Sequence, residues 1–377
     1  MKTLTCSIAA YWQRVQTTLF PYLTTQGLSL TPELKQLVAV LDLLRIEEAV
    51  QRPHPQVGAP PKDRAPLARA FVVKQALNLP TTKALRERLL TDDTLRRICG
   101  WATPGLLPSA STFSRAFARI AELGVADQVH AERVQEWLGE TLVWHQALDA
   151  TDIPARETPR PNPAPQYGRS ETGQRRKHPV SGRPRGRPKK GAGGEKPQTR
   201  LERQLTQVPE IALLEVPTAC DTGYKPDTHG HPHYWVGYKF HVVTNEEGIP
   251  LCAVTTAASV HDSQVAISLL QLTARRVTAL YALLDRGYDA AAIRAGAETL
   301  GLVPIIPAAA TRRDPQPLEP DRARHYQGRT VVERFNARLK DEAGGRHVRV
   351  RGHRKVHAHL MLGLLVIFAH VLLRLAT

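Results

Sequence analysis

The sequence predicts an α/β fold: a mixed five-stranded sheet with flanking helices, preceded by an all-helical N-terminal domain. Two patterns predict it. Residues 1–135 carry apolar side chains at helical spacing and helix caps, without strand-like alternation. After about residue 140 the order becomes three strands, helix, strand, helix, strand, helix, which gives a mixed sheet. Size and composition agree. The chain has 377 residues, 42% of them hydrophobic, enough for a sizeable core and two to three domains.

In the helical part, Thr31 caps a helix with Pro32 in its first turn, and Leu34, Leu37, Val38, Leu41 and Leu44 form its apolar face. Further helices are expected over 66–77, 82–90 and about 93–98. Ser109 or Ser111 caps the next, where Phe113, Phe117 and Ile120 make a stripe and Ser114, Arg115 and Arg119 lie off it. That helix reads either as the reader of a helix-turn-helix or as an ordinary amphipathic helix.

The strands are expected at 143–151, 238–244, 251–257, 279–285 and 301–307, with Gly248-Ile-Pro turning the second into the third. Helices are expected over 262–272, 289–299, 326–343 and 354–375. Within the last, the longest apolar run is Leu360 to Ala369. Ten helical residues span about 15 Å against about 30 Å of bilayer core, so a buried helix is expected and no membrane partner. No signal peptide is visible in the first residues. The four cysteines form no CxxC pair, which excludes a disulfide scaffold and fits a reducing cytoplasm.

The charge is uneven. The chain carries 51 Lys+Arg and 35 Asp+Glu, a formal +16, which points to a polyanionic partner. Residues 156–203 hold 14 Lys/Arg and 4 Asp/Glu, so +10 of that excess sits in one stretch rich in Pro and Gly. Residues 156–205 therefore read as a basic, disordered insertion within the second domain, 140–377. Its centre, Arg183-Pro-Arg-Gly-Arg-Pro-Lys-Lys190, resembles the AT-hook, a short DNA-binding element. Gly186 lets the backbone approach a minor-groove floor, and Arg185 and Arg187 extend along a narrow A·T-rich groove. The alternative is a basic linker that touches phosphates without preference.

Three acids stand out. Asp149 lies in an apolar strand, Asp285 ends the strand 280–284, and Glu333 lies in the helix beginning near Arg329. A carboxylate in a core strand is costly unless paired or bound to metal. Three at one sheet edge repel each other, and two hard divalent cations relieve that and form a phosphoryl-transfer site.

These residues resemble the DDE transposases of bacterial insertion sequences, which have an RNase H-like core. The matching pieces are Leu148-Asp-Ala-Thr151, Gly237-Tyr-Lys-Phe-His241, Val260-His-Asp262, Leu284-Asp-Arg-Gly-Tyr288 and Val332-Glu333, in the family's order across about 143–375. Residues 66–120 resemble the helical domain that often precedes this core. Tyr326, Arg329, Glu333 and Lys340 fit the family signature Tyr-x2-Arg-x3-Glu-x6-Lys. At about 100° per residue these four share one helix face, while Val332, Phe335 and Leu339 lie on another that packs on the sheet. Ala150 and Arg286 depart from the family's commoner residues, but neither replaces an acid.

The resemblance implies metal-dependent cleavage and strand transfer at insertion-sequence ends, in a bacterial, cytoplasmic, nucleoid-associated protein. It implies Asp149, Asp285 and Glu333 as catalytic and metal-binding, with Mg²⁺ as cofactor and Mn²⁺ as substitute. Tyr326, Arg329 and Lys340, with Arg185 and Arg187, would contact double-stranded DNA, and a homodimer would pair two ends. The competing readings are a metal-dependent nuclease without strand transfer and an inactive DNA-binding protein. Asp152 and Asp289 compete with Asp149 and Asp285 for the metal role, but fit the family motifs less well. His229-Gly-His-Pro-His233 reads as a polar loop, with a zinc site near Cys220 and Asp221 as the alternative. Trp235 reads as core, with stacking on an unpaired base as the alternative. His241 and His261 read as structural or as supports for the site.

Overall fold

The computed structural model describes residues 4–50, 63–159, 198–226, 231–309 and 317–376. The first layer is helical: α1 (Leu4–Arg14), a π turn over Val15–Leu19, α2 (Phe20–Thr25), α3 (Pro32–Leu44), α4 (Ala65–Ala76), α5 (Thr82–Thr91), α6 (Asp93–Cys99), α7 (Ala110–Leu123) and α8 (Val125–Leu138). Thr31 and Ser109 cap where the sequence places them, and Thr81 and Asp92 cap α5 and α6. The side chains of Thr31, Thr81, Asp92 and Ser109 accept from the backbone N–H of Leu34, Ala84, Leu95 and Thr112.

Then come β1 (Leu142–Pro154), short α9 (Arg200–Gln204) and α10 (Pro209–Leu214), β2 (Asp221–Pro226), β3 (Pro232–Thr244) and β4 (Pro250–Ala257). The chain continues through α11 (Ala266–Ala274), β5 (Thr278–Leu283), α12 (Ala291–Thr299), β6 (Val303–Ile305), α13 (Pro320–Gln327), α14 (Thr330–Asp341) and α15 (His353–Leu375). The sheet is mixed. β3 pairs antiparallel with both β1 and β4, while β1–β5 and β5–β6 are parallel. Helices on this sheet give the RNase H-like α/β arrangement.

Three expectations need correction. The sheet has six strands rather than five, because β2 pairs with the N-terminal half of β3. Its sequence, Asp-Thr-Gly-Tyr-Lys-Pro, is too polar and too rich in Gly and Pro to read as a strand, and it is held by backbone pairing. Residues 198–205 are ordered, which shortens the expected insertion. Thr199 and Glu202 form a capping box at the start of α9, and Gln204 is buried. Finally, the helix expected over 326–343 is two helices. α13 stops at Gln327, with Gly328 as its cap and 3₁₀-type bonds from Val331 to Gly328 and Val332 to Arg329. The core of the AT-hook-like element, including Arg185 and Arg187, lies outside the described residues, as does His229.

One hydrophobic core runs from the first helix to the last. Its axis is α15. By length and composition α15 passes for a membrane span, but 89% of its most apolar window is buried inside the protein. It packs against α1, α3, α4, α7 and α8 on the helical side and against β4 and α14 on the sheet side. Each Leu or Ile buried this way contributes about 1.5–3 kcal/mol, so the C-terminal helix joins the two layers. Gly237 pairs with Pro154 at the end of β1, where the two backbones approach closely. It has φ +155°, and a Cβ there would lie 2.1 Å from the Ile153 carbonyl oxygen.

A polar network also spans the layers. His357 Nε2 on α15 meets Asp127 Oδ1 on α8 at 2.7 Å, and Thr255 Oγ1 on β4 meets His357 Nδ1 at 2.8 Å. His130 Nε2 donates to the Pro250 carbonyl at 2.9 Å, and burial pushes its pKa down to about 3, so it stays neutral.

Burial opposes charge on Asp127 and His357, but their mutual attraction outweighs it. The Asp127 carboxyl is held below its ordinary value and His357 above. The His357 contribution is therefore full below its unfolded pKa and is lost as pH rises through its folded value. The Asp127 contribution is lost as pH falls through its depressed value. About a third of the Asp127 side chain is exposed (37%), so solvent screens the pair. Asp127→Asn is expected to cost about 1 kcal/mol at pH 5–6 and progressively less as pH rises through the raised His357 value. Thermal unfolding of both proteins across that range measures it.

Candidate active site

β1 and β5 run parallel with Ala147 beside Leu283, so two further residues bring Asp149 next to Asp285 at the end of β5. α14 lies across β1 and β3, seated by Val332, Phe335 and Leu339, all buried as the sequence pattern requires. That seating turns Arg329, Glu333 and Asn336 toward the strand ends.

The three acids meet one guanidinium. Arg329 Nη2 lies 3.0 Å from Asp149 Oδ1 and 4.0 Å from Asp285 Oδ2, and its Nη1 lies 2.5 Å from Glu333 Oε1. The Arg329 side chain is only 13% exposed. Burial works against its charge, but the surrounding acids, Asp149 foremost, raise its pKa further. Asp149 is the most buried of the three acids, while Asp285 and Glu333 face solvent. Burial pushes the Asp149 carboxyl up to about 6; Arg329 pulls it down, and Asp285 and Asp262 push it up.

The loop after β5 explains the Asp-x-Gly-Tyr motif. Asp285 Oδ1 accepts from the Gly287 N–H at 2.7 Å, and a Cβ on Gly287 would sit 2.9 Å from that oxygen. Tyr288 follows into the core with its hydroxyl buried and without a partner among the described residues. Burial raises the Tyr288 pKa, and so do Asp262, Asp149 and Asp285. Asn336 escaped the sequence reading. Its Nδ2 donates to Asp149 Oδ2 at 3.0 Å, which fixes the second oxygen of that carboxylate. Its position one helical turn after Glu333 was the available signal.

The remaining expected residues fall around this centre. Lys340, two turns along α14 from Glu333, pairs with Asp152 at 2.8 Å. Tyr326 is on α13, so it does not share a helix face with Glu333. The break at Gly328 separates them, and Tyr326 packs half-buried at the core edge, within reach of the charges of Arg329, Asp285 and Glu333. Asp289 has a fully buried side chain and pairs with Arg294, which makes it structural. Trp235 is buried, with its Nε1 donating to the Tyr238 carbonyl, as the core reading requires. His241 is buried beside Thr256, and His261 caps the 3₁₀ turn at Asp262.

Among the described residues, no three His, Cys, Asp or Glu side chains close on a common point as a ready metal cage. The three acids turn onto Arg329 instead, and the donor set still fits a hard divalent cation. Three carboxylates face one guanidinium, an imbalance of two negative charges, and every donor is an oxygen.

A family profile described as "Transposase DDE domain" matches residues 144–369, and this domain belongs to phosphoryl-transfer enzymes. The chain is a member of the DDE transposase family. A second profile, "Transposase domain (DUF772)", matches residues 26–119 in the helical layer. No curated protein and no solved structure matches the chain.

The raised Asp149 pKa gives a stability test. Below the ordinary carboxyl value the folded and unfolded states both hold the proton. As pH rises toward 6 the unfolded state releases it first, so the folded state loses stability. With divalent cations chelated, Asp149→Asn is expected to match the parent near pH 4. Above pH 6.5 it is expected to be the more stable by about 2–3 kcal/mol. Denaturant unfolding at both pH values measures the difference.

Proposed function

We propose that this transposase cuts DNA at the ends of its insertion sequence and joins those ends to a target, with Asp149, Asp285 and Glu333 as its catalytic acids. One observation carries the reading: acids from β1, the end of β5 and α14 converge on a single guanidinium, within the segment matching the transposase DDE domain. The three acids would hold Mg²⁺, or Mn²⁺ in its place. Such ions lower the pKa of the attacking water or 3′-hydroxyl and offset charge on the leaving oxygen.

The protein's own groups do the positioning. Asn336 holds Asp149 in one orientation through Oδ2, which leaves Oδ1 turned to Arg329. Gly287 does the same for Asp285 through its N–H. Arg329 balances one of three negative charges without substrate, and it is the cation nearest to a phosphate presented to the acids. Lys340, held by Asp152, adds a second phosphate contact farther along α14. The helical layer would read the terminal repeats, and Arg185 and Arg187 would enter the minor groove. The active form would be a homodimer on DNA, in the bacterial cytoplasm.

The test is to incubate the protein with double-stranded DNA carrying both element ends, with and without Mg²⁺, and to resolve the products. Mg²⁺-dependent cleavage at the ends and a joined product are expected. Asp285→Ala is expected to abolish both, and Asn336→Leu to slow cleavage about 10- to 100-fold. Cleavage without joining would establish the nuclease reading instead. Binding without cleavage under either metal would establish a DNA-binding role.

A further inference from the structure

A cavity of about 440 Å³ lies apart from the acids, between the helical layer and the segment leading into α15. Lys74 of α4 lines it, as do the first turns of α5 and α7, and Arg349, Arg351 and Lys355 line it from the C-terminal side. No Asp or Glu is among its described lining residues.

Lys74 is the unusual member. It is 7% exposed, and among the described residues its ammonium has no hydrogen bond or ion pair. Its neighbours do not neutralise it. His359 Nε2 faces the Gly344 carbonyl at 2.9 Å and must donate to it, so Nδ1 accepts from Gln75 Nε2 at 3.0 Å. Burial, helped by the Lys74 charge, pushes the His359 pKa down to about 3, so that ring stays neutral. Burial also pushes Lys74 down to about 8, which leaves it mostly charged near neutral pH. A buried charge without a partner is costly, and proteins seldom keep one without a use.

The surroundings favour an oxyanion. The first turns of α5 and α7, of 10 and 14 residues, line the same space, and helix N-termini attract anions. The side chains of Arg349, Arg351 and Lys355 are exposed at the opening, and guanidinium groups match the oxygens of phosphate. We propose that this cavity binds a phosphate group, with Lys74 at its floor and Arg349, Arg351 and Lys355 at its mouth. The group is either a backbone phosphate of bound DNA or part of a free phosphate compound. The DNA source rests on the DNA-binding reading given above, whereas the free source does not.

Two probes separate these outcomes: inorganic pyrophosphate read by thermal unfolding, and a labelled 40-base-pair duplex titrated at several salt concentrations. Pyrophosphate is expected to raise the melting temperature of the parent by about 2–4 °C and to leave that of Lys74→Met unmoved. Without pyrophosphate, Lys74→Met is expected to melt no lower than the parent, since it loses an unpaired charge. If DNA is the source, the variant's slope of log K against log[salt] falls by about 1. If the slope is unchanged while the pyrophosphate shift is lost, the site takes a free phosphate compound. A pyrophosphate shift that is absent in the parent, or equal in both proteins, overturns the proposal. Should Lys74→Met fail to fold, the double variant Arg349→Gln, Lys355→Gln takes its place under the same criteria. If the duplex fails to bind the parent, the DNA-binding reading falls, while the pyrophosphate result still decides the cavity.

Discussion

The guanidinium of Arg329 ties together three pieces of chain that are far apart in sequence. Asp149 comes from the middle of β1, Asp285 from the loop after β5, and Glu333 from the first turns of α14. Remove the positive charge and three carboxylates remain at one edge of the sheet. They repel each other, and Asp149 is buried enough to shed its own charge first. The geometry of the site is therefore an electrostatic compromise, with one cation where the charge count has room for two more positive charges. That deficit is the physical ground for placing a divalent ion there.

The rest of the fold makes the compromise affordable. β1 is paired on both sides, antiparallel to β3 and parallel to β5, so Asp149 cannot retreat. α14 is pinned by Val332, Phe335 and Leu339 below and by α15 behind. α15 also carries the helical layer, so that layer and the sheet share one core and one axis. The half-buried link between Asp127 and His357 and the cavity around Lys74 both lie along that junction, where polar groups must be matched or costly.

Much of this was legible in the residues. An Asp in the apolar run of β1 and another at the end of β5 stand out because burial there demands a partner. The spacing of Val332, Phe335 and Leu339 fixed the buried face of α14, and the caps at Thr31 and Ser109 were readable from local chemistry alone. What escaped depended on tertiary contact. β2 has a polar sequence and exists through its pairing with β3. The break at Gly328 took Tyr326 off the helix face that a continuous helix would give it. Asn336 looks like any polar helix residue until Asp149 is seen beside it. Lys74 resembles a surface lysine, and only the packing of α4 against α15 buries it.

The convergence on Arg329 leads to one direct measurement: binding of Mn²⁺ to the DNA-free protein, followed by electron paramagnetic resonance, in the parent, Asp149→Asn and Glu333→Gln. Saturable binding in the parent, weakened about tenfold or more in each variant, is expected if these acids form one cation site. Equal binding in all three proteins would contradict it, and Arg329 would then be the acids' structural partner alone.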